Sequence, residues 1–220
     1  MSDPGSDYLA VCQSAYDLTR ELAILKDRDI GFEILLTPPR LKPPIMLIGY
    51  QPGNAKRDMP VREARNKGFE KTWPQSNTIV DGSYLLAQRL REIFQEDPDL
   101  LARSVALNAV FIRHVDVQGY EKVYSRSARK EILQFCLGHV KSIVDALEPA
   151  RLMIIGLGTL SLFDRNATSI QKSSTTARTI SRRGRVFGRE ALAVPHLSGS
   201  RITREDRLEI KDAVLKYCAV

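Results

Sequence analysis

The chain has 220 residues, 43% of them hydrophobic, enough to bury one full core and too few to argue for two domains, so residues 1–220 read as a single domain with one site. Its 33 Lys and Arg against 26 Asp and Glu leave a formal charge of +7, which concentrates polyanions nearby and makes DNA a reasonable partner, although many basic proteins bind none. No apolar run approaches the roughly 20 residues of a membrane span, and Met1 to Ala10 lacks the basic and apolar regions of a signal peptide, so the sequence predicts no membrane partner and an intracellular, cytoplasmic protein, nucleoid-associated if the source is bacterial.

Met1 to Ser6 reads as disordered. From Tyr8 to Leu25, apolar residues at Leu9, Cys12, Ala15, Tyr16, Leu18, Leu22 and Leu25 fall near helical spacing. The proline-rich Thr37 to Pro44 cannot continue a helix or a sheet interior and reads as a connection. Ile45 to Ile48, ended by Gly49, is a short all-apolar run of the kind that forms a strand buried on both faces. Val105 to Ile112, apolar except for Asn108, is a second such run, Leu152 to Ile155 a third, and Ala191 to Val194 a fourth. Helical patterns lie between or after them, at Tyr84 to Phe94, Ala128 to Leu147 and about Arg204 to Tyr217. Thr168 to Arg185, rich in Ser, Thr and Arg, reads as a mobile surface loop or ribbon, either contacting phosphates or merely solvated. Strands alternating with helices predict an α/β fold, a three-layer α/β/α sandwich about a central, mainly parallel four-stranded sheet.

In such sheets ligands bind beyond the carboxyl ends of the strands, which directs attention to the residues that follow each one. The first strand is followed by Gly49-Tyr50-Gln51-Pro52-Gly53, a tight turn that leaves backbone N–H groups facing outward. Asn108 interrupts the second, and His196-Leu197-Ser198-Gly199-Ser200-Arg201 follows the fourth. A glycine turn is common, a buried Asn often caps a loop and a lone His is more often structural than catalytic, yet together they put an amide, an imidazole and a hydroxyl-rich turn at one end of one sheet. Cys12, Cys136 and Cys218 show no metal-site spacing and read as reduced core thiols.

These blocks resemble the uracil-DNA glycosylase superfamily. Gly49-Tyr50-Gln51-Pro52-Gly53 is similar to its first motif in all but the middle residue, Leu107-Asn108-Ala109-Val110 to its second region, Ala146-Leu147-Glu148-Pro149 through Ile155-Gly156 to its helix-to-strand passage, and His196-Leu197-Ser198 to its closing His-Pro-Ser. The resemblance runs from about Ile45 to Lys216 with the blocks in family order. It implies a monofunctional DNA glycosylase without cofactor or iron–sulfur cluster, a monomer by family default, acting in base-excision repair on a base flipped out of the DNA stack. It further implies that Asn108 reads the base edge, that His196 donates to uracil O2 as the glycosidic bond breaks, and that backbone N–H groups near Gly49, Tyr50 and Gln51 assist. Phe69 or Trp73 would stack on the base. Ser198, Gly199, Ser200 and Arg201 would form the DNA-binding loop, with Arg201 as the wedge.

Three departures matter. Gln51 stands where the strongest glycosylases have Asp, and an amide is no general base near neutral pH. Leu197 replaces Pro after the histidine, and Gly53 takes the place of a tyrosine that excludes the thymine methyl group, widening the substrate range beyond uracil toward 5-substituted or deaminated bases. Two alternatives stay open, a homologue that binds nucleic acid or a modified base with weak catalysis, and an unrelated α/β enzyme acting on nucleotides or nucleosides.

Overall fold

The apolar runs form strands because, flanked by turn residues, they can be buried on both faces of a parallel sheet. The computed structural model describes residues 4–22, 31–53, 71–114, 117–198 and 201–219. Strands β1 (Ile45–Gly49), β2 (Val105–Asn108), β3 (Arg151–Ile155) and β6 (Arg189–Val194) pair in parallel, in the spatial order β2-β1-β3-β6. The sheet does not stop at four strands. β4 (Thr168–Lys172) and β5 (Thr179–Val186) add antiparallel beyond β6, making a six-stranded mixed sheet.

That ribbon is the Ser/Thr/Arg-rich stretch, which forms strands because pairing uses backbone groups and β5 contributes buried Ile180 and Val186. β5 returns to β6 through Phe187 and Gly188, both at positive φ (51° and 85°), as a two-residue hairpin turn of matching twist requires. The pairing of β4 with β5 shifts register twice, between Ser169 and Gln171 and between Gln171 and Lys172. The opposite edge, β2, is covered by Gly31 to Thr37, which runs antiparallel beside it. There Leu36 N donates to Ala106 O (2.8 Å), Asn108 N to Ile34 O (2.9 Å) and Ala106 N to the Thr37 hydroxyl (3.0 Å).

The strands' alternation divides the core between two faces. Met46, Ile48, Leu107, Leu152, Ile154, Ala191 and Ala193 meet α1 (Pro4–Arg20) and α6 (Arg126–Leu147). Ile45, Leu47, Ala106, Met153, Ile155, Leu192 and Val194 meet α3 (Leu85–Ile93) and α8 (Arg204–Cys218). The three-layer arrangement therefore holds, with the extra ribbon at one edge. Helix α1 takes in Pro4 to Ser6, which the sequence read as disordered. Short helices α2 (Thr78–Asp81), α4 (Pro98–Ala102), α5 (Val117–Val123) and α7 (Leu157–Leu160) complete the described elements. Among the described residues no helix is long and apolar enough to cross a membrane.

Side chains satisfy the helix ends. Ser125 caps α6, Thr203 and Asp206 form a reciprocal capping box on α8, and Asn77 accepts from Ile79 N and Val80 N at α2. Arg91 of α3 donates through Nη1 to the carbonyls of Ile79 (2.9 Å), Val80 (2.9 Å) and Gly82 (2.8 Å), which a single turn of helix leaves without intrahelical partners. Replacing Arg91 with alanine exposes three carbonyls at once and is expected to lower the unfolding free energy by about 2 kcal/mol. Urea denaturation monitored by circular dichroism checks this.

Candidate functional site

β1 lies between β2 and β3, so the chain leaves β1 for one side and later returns on the other. Such a reversal opens a crevice at the carboxyl ends, where the loops diverge. Gly49 pairs with Asn108 in the last register position of β1 and β2. The two exits then stay together, with Ala109 N donating to Gly49 O (2.8 Å), Val110 N to Tyr50 O (2.7 Å) and His114 N to Pro52 O (3.4 Å). For this reason the apolar run Val105 to Ile112 is a strand only to Asn108, and its second half is a buried irregular segment lying against the turn.

Asn108 is 3% exposed, and its Nδ2 donates to Glu33 O (3.2 Å). Its Oδ1 would lie 3.4 Å from a Cβ built on Gly49, so the missing side chain leaves space beside the amide oxygen. Gln51 follows, half-buried, with its Oε1 buried and lacking a hydrogen-bond partner among the described residues. A buried acceptor of this kind requires a donor from solvent or ligand. Tyr50 turns its half-buried ring toward the α6 layer. Burial raises its phenol pKa, with smaller opposing effects from the Glu121 and Arg129 charges.

The end of this turn is held by residues the sequence reading passed over. Arg113 Nη1 donates to Gly53 O (3.1 Å), while Arg113 Nη2 pairs with Glu33 Oε1 (3.2 Å). The two side chains of that ion pair are only 12% and 14% exposed. One charged residue of each sign, Glu33 interrupting the apolar stretch Gly31 to Leu36 and Arg113 directly following Val105 to Ile112, was the available signal. The same Glu33 segment holds Asn108, so edge, turn and amide form one unit.

β6 ends two strands away from β1, roughly 10 Å at the spacing of paired strands. His196 is half-buried there, its Nδ1 3.2 Å from the Ser198 hydroxyl. Leu197, 6% exposed, anchors the loop in the α3/α8 core, so the residue in place of proline serves packing. Arg201 is exposed. Gly156, at φ 107° where β3 ends, donates its N–H to Val194 O (2.8 Å) and ties the two strand ends together. The ribbon's turn, Ser173 to Arg178, reaches this end too. Ser174 N donates to Glu209 Oε1 (3.2 Å), and the Ser173 hydroxyl, then Thr203 and the Arg178 charge, hold the Asp206 carboxyl below its usual pKa.

The structure thus brings Gly49, Tyr50, Gln51, Gly53 and Asn108 to adjoining strand ends, with His196, Ser198 and Arg201 at the same end of the sheet. Phe69, Gly199 and Ser200 lie outside the described residues. Trp73, the other candidate for stacking, is half-buried with its ring edge-on to Tyr16 of α1 (centroids 6.3 Å apart), a core contact. Among the described residues no three His, Cys, Asp or Glu side chains are grouped to hold a metal ion. Burial pushes the Cys12 and Cys136 thiols up to about 12, in keeping with inert core groups.

Two outcomes follow from this geometry. Arg113→Gln removes the cation beside the largely buried Glu33 carboxylate and is expected to cost about 3 kcal/mol, more than the double change with Glu33→Gln, in a urea-denaturation cycle. Burial lowers the His196 pKa from its ordinary 6.5, so the ring is neutral in the folded protein near pH 7. The unfolded chain then binds more protons as the pH falls through about 6.5, and stability declines over that window until the folded ring also titrates. An NMR titration of His196 with a midpoint below 6.5 is expected, and one above it contradicts the assignment. No protein-family model matches the chain, and no curated protein matches it either.

Proposed function

We propose that the protein is a DNA glycosylase that hydrolyses the N-glycosidic bond of uracil or a related deaminated base. The observation that carries this reading is that Asn108 ends β2 beside Gly49, two residues before Gln51, while His196 follows β6 across β3 at the same end of the sheet. A flipped pyrimidine between them meets an amide that matches its edge, since Asn108 Oδ1 accepts from the ring N3–H and the second Nδ2 hydrogen donates to O4. Reaction breaks the N1–C1′ bond with its electron pair leaving on the base, and water adds to C1′ with loss of a proton.

The departing base gathers negative charge on O2. Burial lowers the His196 pKa and so favours the neutral ring, and with the Ser198 hydroxyl donating to Nδ1 the ring proton would sit on Nε2, a donor suited to that oxygen. Gln51 Oε1, which has no hydrogen-bond partner among the described residues, accepts a hydrogen bond from water and orients it without removing its proton. Arg201 and Arg178 supply positive charge at the same rim for the phosphates on either side of the flipped base.

Gln51 itself favours a second reading, in which the site binds uracil-containing or abasic DNA and turns over negligibly. Base release from labelled oligonucleotides containing uracil, hypoxanthine, xanthine or a 5-modified pyrimidine, single-stranded and paired, separates the two. Abasic product is expected, with a loss of about 100-fold or more in His196→Ala and in Asn108→Ala. Tight, salt-sensitive binding without product, and release appearing only in Gln51→Asp, would establish the second reading. Turnover of free nucleosides or nucleotides without DNA binding would point instead to an unrelated α/β enzyme.

A further inference from the structure

A cavity of about 680 Å³ opens at the other end of the molecule, between α8 and the open face of β6, β5 and β4. It lies at the amino ends of β3 and β6, since Arg151 begins one and Arg189 the other, whereas His196 follows the carboxyl end of β6. Its floor is apolar, with Leu192 from β6 and the ring of Tyr217 from α8. The walls are cationic. Arg151, Arg183, Arg189 and Lys216 line it from β3, β5, β6 and α8, against the single carboxylate of Glu190.

Several of these groups are fixed in place. The Tyr217 hydroxyl donates to Glu190 O (3.1 Å), and Arg151 donates through Nε to Tyr217 O (3.4 Å) with its guanidinium 5.9 Å from the ring centroid. The compensating charges are weakly engaged. Arg183 meets Glu190 at 3.5 Å with both side chains more than half exposed, Lys216 pairs with Asp212 on the outer surface, and Arg189 has no ion pair among the described residues. Four cations facing one acid, in a concavity of the volume that small ligands occupy, call for a compact polyvalent anion. Three of the four are guanidiniums, whose planar forks suit phosphate oxygens. A lone carboxylate would neutralise only one of them.

We propose that this cavity is a second binding site, taking a small phosphate-bearing ligand of nucleotide size. The assignment is independent of the base-release reading, because none of its residues belongs to the site at the carboxyl ends. The test is isothermal titration of the full chain with inorganic pyrophosphate and, separately, thymidine 5′-monophosphate at low salt. One saturable site is expected, weakened about tenfold by Arg189→Gln and further by adding Arg183→Gln, and unchanged by Arg201→Gln. Both substituted arginines lie at the cavity's rim, and an unchanged thermal midpoint confirms that each variant folds. Lys216→Gln on α8 is the second route should the ribbon variants unfold, and it too is expected to weaken binding. Absence of saturable binding, binding indifferent to Arg189→Gln and Lys216→Gln, or loss on Arg201→Gln overturns the proposal. So does a single-stranded oligonucleotide that needs Arg183 and Arg189 while neither small anion binds, since the surface would then be a strand-binding track.

Discussion

Parallel pairing is the constraint on which the rest of this structure depends. Four strands running the same way must all start at one end of the sheet and finish at the other, so the returns from β1 to β2 and from β2 to β3 cross a face of the sheet, while β6 is reached through the antiparallel β5. The crossings bury both faces, which is why the middles of β1, β2, β3 and β6 are apolar, and they deliver every exit loop to the same rim. A turn after β1, an amide at the end of β2 and an imidazole after β6 become neighbours for that topological reason, although 145 residues separate Gln51 from His196 in sequence. The same rule places the amino ends of β3 and β6 together at the opposite rim, where their first residues are both arginines.

Much of this was legible because burial leaves a compositional mark. The four apolar runs, the stripe on α6 and the glycines and prolines that end the strands all report which backbone is sealed from water, and each became the element it suggested. The strand after Ser104 was drawn too long because burial and sheet pairing are different things. Ala109 to Ile112 are buried, yet the N–H groups of Ala109 and Val110 bond to the outgoing chain at Gly49 and Tyr50, and that of Phe111 to Cys136 Sγ. The ribbon was half-read for the converse reason. β4 is largely exposed and held to β5 mainly by backbone hydrogen bonds, which composition does not record.

At the rim, the polar residues that stand out in sequence were those beside glycine and proline, where a turn is evident. Asn108, Gln51 and His196 belong to that group. Glu33 and Arg113 do not, because one sits within an apolar stretch and the other at the end of one, and each gains its meaning only when the edge segment folds beside β2 and brings opposite charges to 3.2 Å. Such a pair is worth little as a source of stability once desolvation is counted, but it fixes which segment lies against which. Here it locks the Gly53 carbonyl and, through the same edge segment, the amide of Asn108. The polar geometry of the rim is therefore set from outside the turn that carries it.

The two borders of the sheet are finished differently. Along β2 the chain's own Gly31 to Thr37 takes up the hydrogen-bonding groups, while along β4 the register slips twice within five residues and the strand ends in Lys172. An interrupted border with a terminal cation is a poor template for a strand from another molecule, and an occupied border is none at all. Edge-to-edge pairing between crowded copies of this chain is thus disfavoured at both described borders of the sheet.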